Sequence, residues 1–116
     1  FFLTQLHLLE KEWDQAKHWA YESLNRNPDE PYTLLSASLA EAELENCIEA
    51  KALSTSGCSM NPNDSNLRLM QARVLRLCDE PNQALEILSG LPKAMQESEI
   101  VEEEKDLCLK EIEKVN

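Results

Sequence analysis

The stretch Asn27-Pro28-Asp29-Glu30-Pro31-Tyr32 has a counterpart 34 residues further on, Asn61-Pro62-Asn63-Asp64-Ser65-Asn66. Self-similarity at a fixed period of this length is the mark of stacked supersecondary units, so the offset decides how the chain is read. Held at 34, it places Ala16 on Ala50 and Ala50 on Ala84, and Leu35 on Leu69. It also aligns Leu6, Ala40 and Val74, and Trp19, Leu53 and Ile87. Three alanines in register with a doubled Asn-Pro are not expected by chance.

Each period reads as two helices. Asp29 or Glu30 can cap a helix opened by Pro31, since proline at the first helical position gives up only an N–H that had no partner. Leu34, Leu35, Ala37, Leu39, Ala40 and Leu44 then recur at helical spacing. A second helix carries Cys47, Ile48, Ala50, Leu53 and Cys58; it is expected to fray near Gly57 and to end before Asn61-Pro62. In the third period Asp64 or Ser65 caps a helix bearing Leu67, Leu69, Met70, Ala72, Val74, Leu75 and Leu77, and Pro81 opens its partner with Ala84, Leu85, Ile87, Leu88 and Leu91. The first period supplies Leu3, Leu6, Leu8 and Leu9, then Trp13, Ala16, Trp19, Ala20 and Leu24, with the two tryptophans expected in the core or the seam between units. After Gly90 and Pro92 the plan changes. Residues 97–116 hold eight carboxylates and three lysines, with Ile100, Val101, Leu107, Cys108, Ile112 and Val115 favouring one side. This reads as a helix that closes a repeat array. The expected division is repeats over 1–91 (1–28, 29–62, 63–91) and an acidic capping helix over 92–116.

Composition narrows the function. The 116 residues carry 22 Asp plus Glu against 11 Lys plus Arg, a net charge of −11. That argues against nucleic acid as partner, because phosphate binding rests on clustered cations. Two glycines and five prolines are too few for a β-sandwich or for glycine-rich nucleotide loops. No stretch approaches 18 uninterrupted apolar residues, so no membrane insertion is expected. Cys47, Cys58, Cys78 and Cys108 lie 11, 20 and 30 residues apart, which matches no zinc or redox spacing. They read as four reduced, buried thiols, and hence as an intracellular, cytoplasmic chain. His7 and His18 lie on opposite sides of an expected turn, no catalytic motif is present, and Glu102-Glu103-Glu104 on one helix cannot form an oxygen cage, so it reads as a solvated face. Neither enzymatic activity nor a cofactor nor a metal is expected.

The pattern resembles the tetratricopeptide repeats, 34-residue helix–turn–helix units with a late proline and a small residue where the second helix packs. Pro28 and Pro62 match the proline; Ala16, Ala50 and Ala84 match the small residue. The glycine that lets paired helices approach becomes Ser38 and Ala72, and the bulky opening residue is Leu34 in one repeat and Arg68 in the next. The tyrosine position is His7, Glu41 and Leu75, and the large residue of the second helix is Ala20, Ser54 and Leu88. The resemblance implies an all-α solenoid of two and a half to three hairpins, with Phe1 falling inside a unit, as in a fragment of a longer repeat protein.

It also implies function: a protein–protein interaction module, an adaptor or scaffold whose concave groove holds a peptide or amphipathic helix of a partner. The family's groove positions fall on Gln5 and Leu9, on Tyr32, Leu35, Leu39 and Glu43, and on Asn66, Leu69, Arg73 and Arg76. The arginines, three apart on one helix face, would suit a carboxylate on the ligand or would pair with Glu43 or Glu45. The subclass that grips acidic chaperone tails uses Lys, Asn and Arg where this chain has Phe1, Gln5, Ser36, Asn66 and Met70, so that clamp is missing. Two alternatives stay open: a small acidic chaperone of a bacterial secretion system that shields an amphipathic helix, and an oligomerisation module self-associating through an exposed N-terminal repeat face.

Overall fold

The computed structural model describes residues 13–28 and 30–115. Within them lie α1 (Trp13–Arg26), α2 (Pro31–Glu43), α3 (Cys47–Met60), α4 (Ser65–Leu77), α5 (Pro81–Ser89), α6 (Lys93–Gln96) and α7 (Glu99–Val115), with no strand among the described residues. The fold is all-α, a solenoid of helical hairpins. The expected positions Phe1, Gln5, His7 and Leu9 lie outside the described residues.

The 34-residue period is visible in the helix ends. Glu30 caps α2, its carboxylate accepting the Tyr32 N–H at 3.1 Å, ahead of Pro31 at the first helical position. Its equivalent, Asp64, caps α4 and accepts from the Asn66 and Leu67 N–H groups at 3.0 and 3.3 Å. The exits repeat as well. After α2, Glu45 has φ 66°, and after α4, Asp79 has φ 61°. In each turn the next N–H folds back onto the helix, Asn46 N to Glu41 O at 2.8 Å and Glu80 N to Leu75 O at 2.9 Å. A left-handed residue just past a helix end satisfies carbonyls that otherwise lack partners.

The hairpin α2/α3 closes tightly. Ser38 and Ala50 are fully buried where the helices cross, and the Ser38 hydroxyl donates to the Ala50 carbonyl at 2.5 Å. Gly57 corrects the expected fraying: α3 runs through it to Met60, and it is buried. A Cβ there would overlap the Leu35 side chain and approach the Pro31 carbonyl to 3.1 Å. Gly57 is thus a close-approach residue, and helical hydrogen bonding outweighs its poor propensity.

Each helix packs on its chain neighbour from α1 to α5. In addition α2 packs on α4, and α7 packs on α5 and less extensively on α4, whereas α1, α3 and α5 make no comparable contacts with one another. The helices therefore form two layers, an inner one (α2, α4, α7) that is continuous and an outer one (α1, α3, α5) that is splayed. Such a difference between layers curves the array toward the inner one. A cleft of about 500 Å³ separates the outer helices α3 and α5, and Lys51 and Glu80 meet beside it at 2.7 Å.

Burial fills the centre. Thr33 through Ala42 are all buried, so α2 is enclosed all round. Leu35 packs with Cys58 and Leu67; Leu39 with Ala42, Ala50, Val74 and Cys78; and Ala72, Leu75, Ala84, Leu88, Leu91, Val101 and Cys108 form the C-terminal core. Four expectations change here. Trp19 is among the exposed large hydrophobics, its ring edge-on to His18, and so is Ile100, 56% exposed on α7. Glu104, read as part of a solvated face, is buried. Cys47 and Cys78 form a disulfide, so only Cys58 and Cys108 are the buried free thiols that the sequence suggested for all four.

Candidate partner-binding groove

Two buried carboxylates knit the units together. Glu41 stands where the repeat resemblance implies a tyrosine. It accepts from Lys17 Nζ at 3.0 Å and Tyr21 Oη at 2.9 Å, both on α1, and from Asn46 Nδ2 at 3.1 Å. Burial pushes the Glu41 carboxyl up, but these donors outweigh it and hold the group below its usual range. The same contact, with burial the larger cause, drives the Tyr21 phenol up.

Glu104 plays the corresponding part between α4 and α7. The Arg73 Nε–H donates to its Oε1 at 2.8 Å; Arg76 donates from Nε to Oε2 at 2.9 Å and from Nη2 to Oε1 at 3.3 Å. The arginines thus pair with Glu104 rather than with Glu43 or Glu45. The three side chains are unequal: Glu104 is 6% exposed, Arg76 16% and Arg73 39%. Two guanidiniums on one carboxylate leave this cluster with one net positive charge in a chain of net charge −11.

The structure divides the expected groove residues. Leu35 and Leu39 are buried in the core clusters, so they support the inner wall from beneath and offer it little surface. Tyr32 is half-buried at the start of α2, and its hydroxyl donates to Asp64 Oδ2 at 2.6 Å, joining the starts of α2 and α4. That hydrogen bond raises the Tyr32 phenol and, with the cap N–H donors, lowers the Asp64 carboxyl. Asn66 is exposed, and Leu69 and Arg73 are half-buried. Spaced three and four apart, they lie on one face of α4. Of the acidic-tail clamp positions among the described residues, Ser36 is buried, Met70 half-buried and Asn66 open.

Sequence reading missed Glu41 and Glu104 as hubs, and missed the disulfide. The last was open to inference: consecutive antiparallel helices bring the start of one beside the end of the next, and Cys47 opens α3 while Cys78 closes α4. Among the described residues no group of His, Cys, Asp or Glu could hold a metal ion, and no helix is long and apolar enough to cross a membrane.

No model of a known protein family matches the chain, and no curated protein does. Solved structures do. The TPR2B domain of yeast Sti1, in its pHsp70 complex, matches with a TM-score of 0.74 at 19% sequence identity, over 97% of this chain and 93% of that one. The chain has the tetratricopeptide-repeat fold.

Proposed function

We propose that the inner face binds an extended peptide or an amphipathic helix of a partner protein, through Tyr32, Asn66, Leu69 and Arg73. The reading rests on one observation above the others: Arg73 is 39% exposed although paired, in a cluster where two guanidiniums share one carboxylate. A ligand carboxylate can therefore add a charge-assisted hydrogen bond to Arg73 without displacing Glu104. Leu69 beside it offers apolar contact, and Asn66 can pair with backbone amides of the ligand. Arg76, more deeply set, holds Glu104 and so orients Arg73. The Sti1 neighbour, solved as a pHsp70 complex, lends support at the level of architecture. The residues of the acidic-tail clamp are missing here, so the ligand inferred is apolar with an acidic group rather than an acidic chaperone tail.

The test is selection from a displayed random-peptide library on the intact chain, repeated with Arg73→Glu and with Leu69→Asp. Selected peptides should combine apolar and acidic residues and lose at least about tenfold in affinity on Arg73→Glu, as expected for one charge-assisted contact. Circular dichroism should still report a helical fold. Undiminished binding to both variants would move the site off the inner face.

A further inference from the structure

The four cysteines are not equivalent. Cys58 and Cys108 are buried within the core, and burial pushes both thiols up, away from the reactive thiolate. Cys47 and Cys78 are joined across the α3/α4 junction, with their Cα atoms 5.7 Å apart. The two residues differ in exposure, although both pack against the core cluster of Leu39, Ala50 and Val74. Cys78 is buried against Val74 and Leu39. Cys47 is half-buried and lines a solvent-open concavity of about 540 Å³, with Lys17, Glu45, Ile48 and Glu49 around it. Ile48, next in the chain and also lining the concavity, is 89% exposed.

We propose that Cys47–Cys78 is a thiol-exchange site, entered at Cys47, that takes small thiols of low negative charge. The incoming thiolate attacks the Cys47 sulfur, forming a mixed disulfide, and the Cys78 sulfur leaves with the bond electrons and takes up a proton. A second small thiol then attacks the external sulfur of the mixed disulfide. It releases Cys47 as a thiol and carries away the small-molecule disulfide, so two external thiols are oxidised as one protein disulfide is reduced. Oxidation by a small-molecule disulfide runs the same steps backwards. Two features set the behaviour. Cys78 remains tethered beside Cys47 after it leaves, the two Cα atoms being 5.7 Å apart in the closed bond, so its return is intramolecular. Glu45 and Glu49 flank the entrance, while Lys17 is already paired with Glu41. The local field therefore repels an anionic thiol such as glutathione more than cysteamine, whose ammonium balances its thiolate.

The experiment uses the intact folded chain, with thiols counted by alkylation and mass spectrometry. Glutathione and cysteamine should both open the bond under native conditions, leaving Cys58 and Cys108 unlabelled. Raising salt from low to high should speed glutathione about threefold or more relative to cysteamine, as screening removes the repulsion. Replacing Glu45 and Glu49 by Gln should shrink that difference. In Cys78→Ser, Cys47 should accumulate as a stable mixed disulfide; in Cys47→Ser, Cys78 should react at least about tenfold more slowly. Should either variant misfold, the wild-type rates and the order of alkylation after reduction still decide the matter, with Cys47 labelled first. Four free thiols in the chain after incubation with glutathione disulfide, a bond that opens only on denaturation, or Cys78 labelled first would overturn the proposal.

Discussion

The Tyr32 hydroxyl donates to the same Asp64 carboxylate that caps α4, so one side chain ties the start of α2 to the start of α4. Tyr32→Phe should cost about 1 kcal/mol, the net worth of one hydrogen bond. Asp64→Ala, which loses the cap as well, should cost about 2 kcal/mol. Urea denaturation of the two variants checks both; an unchanged stability in Tyr32→Phe would mean that the phenol contributes nothing, and equal costs that the cap adds nothing beyond it.

Acid should destabilise the fold through two named carboxyls. Glu41 and Asp64 are both held below their ordinary values in the folded chain. Their stabilisation is therefore complete above the unfolded-state pKa, near 4, and is lost as pH falls through the lower folded values. Melting temperature measured from pH 7 down to pH 3 should fall in that lower range, and Glu41→Gln should flatten the fall.

Opening the disulfide should cost stability through the unfolded chain. The bond closes a loop across a sequence separation of 31, for which loop-closure entropy gives about 3–4 kcal/mol. Cys47→Ser should lose close to this amount relative to the oxidised chain and almost nothing relative to the reduced one. Cys58→Ser, outside the bond, should respond to reductant as the wild type does.

Glu45 and Asp79 hold left-handed backbone at equivalent turns. Replacing either with Gly should stabilise by about 0.5–1 kcal/mol, because Gly adopts this region without the Cβ clash. Chemical denaturation of the single and double variants checks the gains, and any departure from additivity measures coupling through the Cys47–Cys78 bond that joins the two turns.

Gly57 and Gly90 should answer oppositely to alanine. At Gly57 the methyl group meets the Leu35 side chain and the Pro31 carbonyl, at a cost of about 1–3 kcal/mol. At Gly90 its nearest neighbours are carbonyls at 3.5 and 3.6 Å, ordinary contact distances, and the change should be near neutral.

What the sequence made legible was what repeats. Pro31, Pro81, the alanines and the Asn-Pro pairs act locally, through backbone restriction and small size, and their period gave the hairpins and their order. Residues whose role depends on a neighbouring helix were harder to see. Glu41 looked like a departure from the family pattern because its donors, Lys17 and Tyr21, lie on another helix. Glu104 looked solvated because its neighbours in sequence are acidic, whereas burial is set by Arg73 and Arg76 across the α4/α7 contact. Leu35 and Leu39 were assigned to an open wall by position alone, yet the enclosure of α2 places them in the core. The charge excess at Arg73 emerged only when Glu104 was found between the arginines.

The splayed outer row has a mechanical consequence. Bending that closes the inner wall stretches the convex side, where the clefts between α1, α3 and α5 can widen without breaking packed contacts. The molecule should behave as a leaf spring, compliant along its back and stiff along its belly, with the sulfur link as a rivet between two of its leaves.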